Sequence, residues 1–418
     1  MKHTRLKKVI RAAAAVLMAG VLSGCSVKIG TNKEPKLDAV IAHPTGGDGS
    51  EDMNITYEMF RKEYKYILTN NGIEDDTNED YASYCKTQRE SIIAYLVNEQ
   101  IILHKAREMG LYDLTEEEMR EVEESCSKNI AIQVEYYGNL AGSGMISDDG
   151  ESLTLSDEDK ERLGNERFDE LLEECGMTRD DLLWWSQSSK ITEKLQNALG
   201  DTVPYAKAEE EFKGVQELAE ELYNTNMSTY SNGGYDEIWL PDGSRLIKHV
   251  LIGFDSDIIK EIMMLRNEGS DEEADKKRAE AAEKLKEKQE EVEKKLEDGA
   301  DIDELIKEYS ADTEGSAAYP DGYTVIPGGN TYMAEFQEAA FVPQKIGDRT
   351  TCVTDYGVHI MIYAGNAKVS DEAIKQYTEY LYEELKSKEF SDKMLEWAEE
   401  YAFEIDYGTL RLEAPEES

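Results

Sequence analysis

Five histidines, five cysteines and a large excess of carboxylates are the residues of this 418-residue chain from which chemistry can be built. Two of the histidines stand out by position. His249 falls in phase with Ile247 and Leu251, and His359 with Met361 and Tyr363, in stretches that read as β-strands. One histidine on such a strand is usually a core residue with its hydrogen bonds met. Two, on the strands that open and close one unit, can share a polar network. His43 lies in a loop-like stretch and His104 in a helical one. Hydrolytic and metal chemistry lack their signatures. There is no Gly-x-Ser-x-Gly motif, and Cys85, Cys126, Cys175 and Cys352 show no zinc spacing, so neither a metal nor a cofactor is expected. For Cys85, Cys126 and Cys175, isolated buried thiols and a disulfide are both compatible with the spacing.

The elements that must carry these residues fall into three regions. From Thr56 to about Asn232 the pattern is helical, clearest from Thr87 to Met109, where Ile92, Ile93, Leu96, Val97, Ile101 and Ala106 recur at helical spacing and Gly110 stands at the C′ position. Thr115 with Glu118, and Thr178 with Asp181, are N-terminal capping signals. Between them, Gly138 to Gly164 reads as a surface loop. At Asp236 the period shortens. Residues 237–240, the turn Pro241-Asp242-Gly243 and residues 245–252 read as strand, turn, strand, with Val250-Leu251-Ile252 apolar on both faces and therefore central in its sheet. A charged helix over 271–298, a short one over 302–309, a helix over 333–341 and a strand over 358–362 follow. Helical pattern returns from Ser370 to Phe403.

Composition narrows the classes. With 46 Lys+Arg against 90 Asp+Glu, the net charge is −44, which excludes an electrostatic nucleic-acid binder. The start of the chain is an address. Lys2, Arg5, Lys7, Lys8 and Arg11 precede an apolar run from Ala12 to Leu22, ending in Leu22-Ser23-Gly24-Cys25. This resembles the bacterial lipobox, and implies cleavage before Cys25 and lipidation of that residue. Residues 1–24 are thus expected to be a lipoprotein signal peptide, and 25–53 a lipidated cysteine and flexible tether with Pro35, Pro44 and the Gly46-Gly47 pair.

The segment after the tether also carries a resemblance. Lys248-His249-Val250-Leu251-Ile252, Gly299-Ala300-Asp301-Ile302, Glu308-Tyr309-Ser310-Ala311-Asp312, Met333 with Phe336, Ala339, Ala340 and Phe341, and Val353-Thr354-Asp355-Tyr356-Gly357-Val358-His359-Ile360 occur in the order found in parvulin-type peptidyl-prolyl isomerases. The resemblance implies His249, Asp312 and His359 as catalytic residues and Met333, Phe336, Tyr356 and Tyr323 as substrate-binding ones. The family's Gly-Gly-Asp-Leu-Gly loop is here Tyr319-Pro320-Asp321-Gly322-Tyr323, so either Tyr323 or Val325 stands for its pocket leucine. Residues 96–118 and 176–191 are similar to the helical part of SurA- and PrsA-type exported foldases.

The expected fold class is α+β: a parvulin-like domain, a small antiparallel sheet with flanking helices at 236–366, inserted in an all-helical chaperone domain formed by 54–235 and a C-terminal segment, 367–418. The implied function is a membrane-anchored, extracytoplasmic foldase that isomerises X–Pro bonds in unfolded exported polypeptides. The alternative is a binding-only holdase with an inactive parvulin-like domain. A solute-binding lipoprotein would instead show alternating βα units, which this chain does not. Its partners would be proline-containing client chains and a membrane, reached through the lipid, and no nucleic acid.

Overall fold

The computed structural model describes residues 35–47, 51–73, 76, 78–142 and 155–412. The signal segment, Cys25 and tether residues 26–34 lie outside these. The elements run in this order: β1 (Val40–Pro44), β2 (Ile55–Thr56), α1 (Tyr57–Asn70), α2 (Ala82–Glu108), α3 (Glu116–Gly142), α4 (Asp157–Cys175), α5 (Arg179–Gly200), α6 (Tyr205–Thr225) and α7 (Met227–Asn232). Next come β3 (Arg245–Gly253), α8 (Ser256–Asn267), α9 (Asp271–Lys284), α10 (Lys286–Glu297), α11 (Ile302–Tyr309), α12 (Thr313–Ala318), β4 (Tyr323–Val325), α13 (Ala334–Ala339), β5 (Arg349–Thr354) and β6 (Gly357–Asn366). The long α14 (Asp371–Tyr401) and β7 (Phe403–Ile405) close the described chain. The class is α+β. Among the described residues no helix is long and apolar enough to cross a membrane.

Contacts divide the chain into two compact units, one made of residues through Val203 with those from Glu384 onward, the other of Pro204–Glu383. In the first, the apolar stripe of α2 (Ile92, Ile93, Leu96, Val97, Ile101) packs in one core with Trp397 and Tyr401 from the end of α14. Both capping signals form. Thr115 and Glu118 bond reciprocally, at 2.8 and 3.2 Å, and Thr178 does the same with Asp181. Gly110 adopts φ +70° beyond α2, and Leu111 N–H returns to Ala106 O at 2.7 Å, the closure a left-handed residue permits.

Four expectations are corrected. Residues 25–53 are not tether throughout: Val40-Ile41-Ala42 finds β2 on one edge and β7 on the other, in a sheet of order β2-β1-β7, and Ile41, Ala42 and Met53 are buried. The loop expected over 138–164 is shorter, since α3 runs to Gly142 and α4 starts at Asp157; residues 143–154 lie outside the description. Residues 237–240 form no strand. Trp239 instead packs against Tyr223 and Tyr230, and its carbonyl accepts the Tyr230 hydroxyl at 2.7 Å. The 271–298 helix is two, α9 and α10, parted at Leu285. Cys85, Cys126, Cys175 and Cys352 are free thiols.

In the second unit α6 and α7 share a small core with the isomerase-like segment: Ala219 and Tyr230 pack with Ile326, and Tyr223 donates to Pro327 O at 2.9 Å. Phe212 and Tyr205 of α6 meet Tyr377 and Tyr382 from the first half of α14. The unit's sheet is antiparallel, order β4-β3-β6-β5, so β3 is central as its two apolar faces require. One face (Val250, Ile252, Val358, Ile360) is covered by Val292 of α10 and Leu305 of α11. The other (Ile247, Met361, Tyr363) is covered by Phe336, Ala339 and Ala340, from α13 and its C-cap.

Candidate functional site

The register of β3 on β6 sets the two histidines. His249 lies opposite Met361, and Leu251 opposite His359, so the imidazoles are diagonal neighbours on one face. Both are buried, at 4% and 7% exposure, and their Nδ1 atoms stand 3.1 Å apart. Beyond β4 the edge of β3 is taken over by the chain after α11. Leu251 N–H donates to Ser310 Oγ at 3.1 Å, and Ala311 N–H to Leu251 O at 2.8 Å. That pairing delivers Asp312 to the ring edge, with Oδ2 3.3 Å from His249 Nε2.

Asp312 serves twice. Its Oδ1 accepts Gly315 N–H at 3.2 Å as the N-cap of α12, while Oδ2 also accepts the Tyr323 hydroxyl at 2.5 Å. Gly315 makes this approach possible, since a Cβ there would lie 2.0 Å from the Tyr323 hydroxyl oxygen and 2.5 Å from Asp312 Oδ1. On the far side of the pair, the buried Thr354 Oγ1 lies 2.8 Å from His359 Nε2 and accepts Tyr356 N–H at 3.2 Å.

Electrostatics follow from these contacts. The hydrogen bond with His249, joined by that from Tyr323, outweighs burial and holds Asp312 down at about 2. Burial, with repulsion from His249, pushes His359 down to about 3, against the pull of Asp312. Burial and the Asp312 charge raise the Tyr323 phenol. With His359 neutral and its proton on Nδ1, every contact becomes a hydrogen bond. His249 Nε2–H donates to Asp312, His359 Nδ1–H to His249 Nδ1, Thr354 O–H to His359 Nε2, and Tyr356 N–H to Thr354. The chain runs one way and ends on a fixed carboxylate.

Over this network lies an aromatic shelf. The Phe336 ring stands edge-on to both imidazoles, at 5.1 and 5.3 Å, and Tyr332 packs on Phe336 at 5.4 Å. Tyr323 is 5.0 Å from His249 and 5.9 Å from Tyr332. A cavity of about 340 Å³, lined by Lys248, His249, Thr313, Ser316, Tyr319 and Tyr323 among others, opens beside the Asp312 end.

Of the residues expected from sequence, His249, Asp312, His359, Phe336 and Tyr323 converge. Val325, the other candidate for the pocket leucine, is wholly buried in the core. Met333 is half-buried at the N-cap of α13, and the side chain packed on Phe336 is Tyr332, four residues before it. Tyr356 has an exposed ring and joins the network through its backbone N–H. Thr354, Tyr332 and Gly315 were not singled out from sequence. A threonine two residues before a turn, in a strand whose partner carries a histidine, was the available signal for the first.

Residues 246–371 match the family model described as the PPIC-type PPIase domain, a rotamase family. Among solved structures the chain is similar to the PrsA peptidylprolyl isomerase of Bacillus cereus, at 15% identity over 87% of this chain and 90% of that one, with a TM-score of 0.20. It is similar to PrsA of Bacillus anthracis at 15% identity over 78% and 100%, TM-score 0.19, and to PrsA of Bacillus subtilis at 17% over 77% and 84%, TM-score 0.21. No curated protein matches the chain. The assignment of residues 246–371 rests on the family model and on the geometry above.

Proposed function

We propose that the PPIC-type peptidyl-prolyl isomerase domain at residues 246–371 turns over X–Pro bonds in extended, unphosphorylated client chains outside the cytoplasm, at a membrane to which Cys25 is tethered by lipid. The observation that carries this reading is the hydrogen-bonded line Asp312–His249–His359–Thr354, buried from His249 to Thr354, beneath the aromatic shelf of Tyr323, Tyr332 and Phe336. Rotation about an X–Pro bond crosses a barrier of about 18–20 kcal/mol because it breaks amide resonance. No bond to the enzyme is needed. An apolar shelf holds the proline ring, and the twisted amide, less polar than the planar one, is favoured where water is excluded. A rigid network anchored on a fixed carboxylate supplies oriented dipoles for the carbonyl as it swings. His249, His359 and Asp312 would act in this way, with Tyr323 and Phe336 seating the proline and Met333 and Tyr356 at the rim.

After β3 come Phe254-Asp255 and the first turn of α8, Ser256-Asp257, and the carboxylates of Asp255 and Asp257 would repel a phosphorylated substrate. Client holding is supported by the first unit. A cavity of about 600 Å³ is lined by Tyr66, Val122, Ile130, Phe168, Leu182 and Trp185 among others, and next to it Ile132, Tyr136 and Leu140 stand exposed at four-residue spacing on α3. Export and anchoring rest on the basic start, apolar run and Leu22-Ser23-Gly24-Cys25. The test is cis–trans exchange in unphosphorylated X–Pro peptides with the full chain. Acceleration lost in folded His249→Ala and His359→Ala variants is the expected result. No acceleration on any of several peptides, with suppression of client aggregation retained, would leave a holdase instead. For the anchor, Cys25→Ser should move the protein from the membrane fraction to the soluble one.

A further inference from the structure

The hairpin that carries Thr354 is held by charges that the isomerase reading leaves without a part. Between β5 and β6 only Asp355 and Tyr356 intervene, and Thr354 pairs with Gly357 across the turn. Asp355 is buried, its side chain 6% exposed, and is gripped by two arginines. Arg266 of α8 bonds it with both arms of its fork, Nε to Oδ2 and Nη2 to Oδ1, each at 3.1 Å. Arg278 of α9 reaches Oδ1 at 3.3 Å through Nη1, and the same nitrogen donates to Glu335 Oε1. Glu335 is the residue before Phe336 in α13. Asp271 and Asp275 neutralise the outer sides of the two arginines.

One guanidinium therefore joins the two elements that make the outer contacts of the histidine pair. Through Asp355 it fixes the turn, and with it the 2.8 Å contact of Thr354 with His359. Through Glu335 it fixes the helix start, and with it the Phe336 ring against both imidazoles. We propose that Arg278, bridging Asp355 and Glu335, is a positioning residue for isomerisation, setting the spacing of Thr354 and Phe336 about the imidazole pair. The role rests on the isomerase reading above. Arg278 touches neither imidazole. A planar fork suits it because it meets two carboxylates in fixed directions, which a lysine ammonium on a flexible stem does not.

The experiment uses the full chain with Arg278→Met, Arg278→Lys and Glu335→Gln. It measures kcat and KM for an unphosphorylated X–Pro peptide, and the ¹⁵N signals of the His249 and His359 rings. Folded Arg278→Met is expected to lose about tenfold or more in kcat with KM little changed, because small misplacements of a site are costly. The His359 ring signals should move with it, Glu335→Gln should follow in the same direction, and Arg278→Lys should restore only part. A folded Arg278→Met variant with wild-type kcat and unmoved ring signals overturns the proposal. If that variant does not fold, Glu335→Gln decides by the same two readouts. An inactive wild-type chain sinks the isomerase reading instead, while the ring signals, which need no turnover, still support or overturn the brace.

Discussion

The 3.1 Å contact between two Nδ1 atoms holds a single proton, so the tautomer of each buried ring depends on what lies at its other nitrogen. Thr354→Val keeps the shape but removes the partner of His359 Nε2. The expected cost is about 1–3 kcal/mol by urea unfolding, with kcat/KM falling as well. The pH dependence has a definite sign. His359 stays neutral in the fold down to about 3, whereas the unfolded chain takes up that proton near 6.5. Between these values the unfolded state binds more protons, so the stabilisation is complete above about pH 6.5 and is lost as pH falls towards 3. Asp312, held at about 2 against an ordinary 3.8, adds a second loss that begins near pH 3.8, in the last part of the first window, and runs on to about 2. Urea midpoints from pH 8 to 4 should therefore fall less in His359→Gln than in the wild type. A parallel decline in both would contradict the assignment. On the shelf, Tyr332→Ala should weaken peptide turnover more than Met333→Ala, since the Tyr332 ring packs on Phe336 at 5.4 Å.

At the scale of elements, the β5–β6 hairpin is the most exacting piece. Gly357 sits at φ +154°, and a Cβ there would lie 2.2 Å from Ile252 O, so Gly357→Ala should destabilise the second unit by about 2 kcal/mol or more, read by chemical denaturation. What was legible in sequence divides along the range of the forces involved. The caps at Thr115 and Thr178, the C′ Gly110 and the central strand β3 are set by neighbours a few residues apart, and they formed as their patterns required. The pairing of His249, His359 and Asp312 became legible only through the order of several family motifs, because nothing local ties residues 249 and 359. The misses have the opposite character. β1 is too short to announce itself, and its partners lie at 55–56 and 403–405. Residues 237–240 have strand composition, yet Trp239 gains more from two tyrosines than from a ladder. Tyr332 escapes a reading by spacing because its four-residue interval to Phe336 matters only once the start of α13 is known.

At the scale of the whole molecule, a net charge of −44 is a burden the fold carries throughout. Raising ionic strength from about 10 mM to about 150 mM shortens the screening length from roughly 30 to 8 Å. The thermal midpoint should therefore rise with salt, and a fall would show that ion pairs outweigh the repulsion. The sheet β2-β1-β7 has a consequence of another kind. Ala42 lies opposite Ile405, and Asp406 N–H donates to Ile41 O at 2.8 Å, so two strands at opposite ends of the described chain must meet to complete one small sheet. A polypeptide that emerges from a ribosome or a translocation pore does so amino end first. Until residues 397–405 are free, the first unit lacks both β7 and the end of α14 that fills its core. The inserted unit, whose strands all lie between 245 and 366, is under no such delay. Nascent chains should thus mature from the middle outward, with the isomerase fold closing before the helical unit that brackets it in sequence.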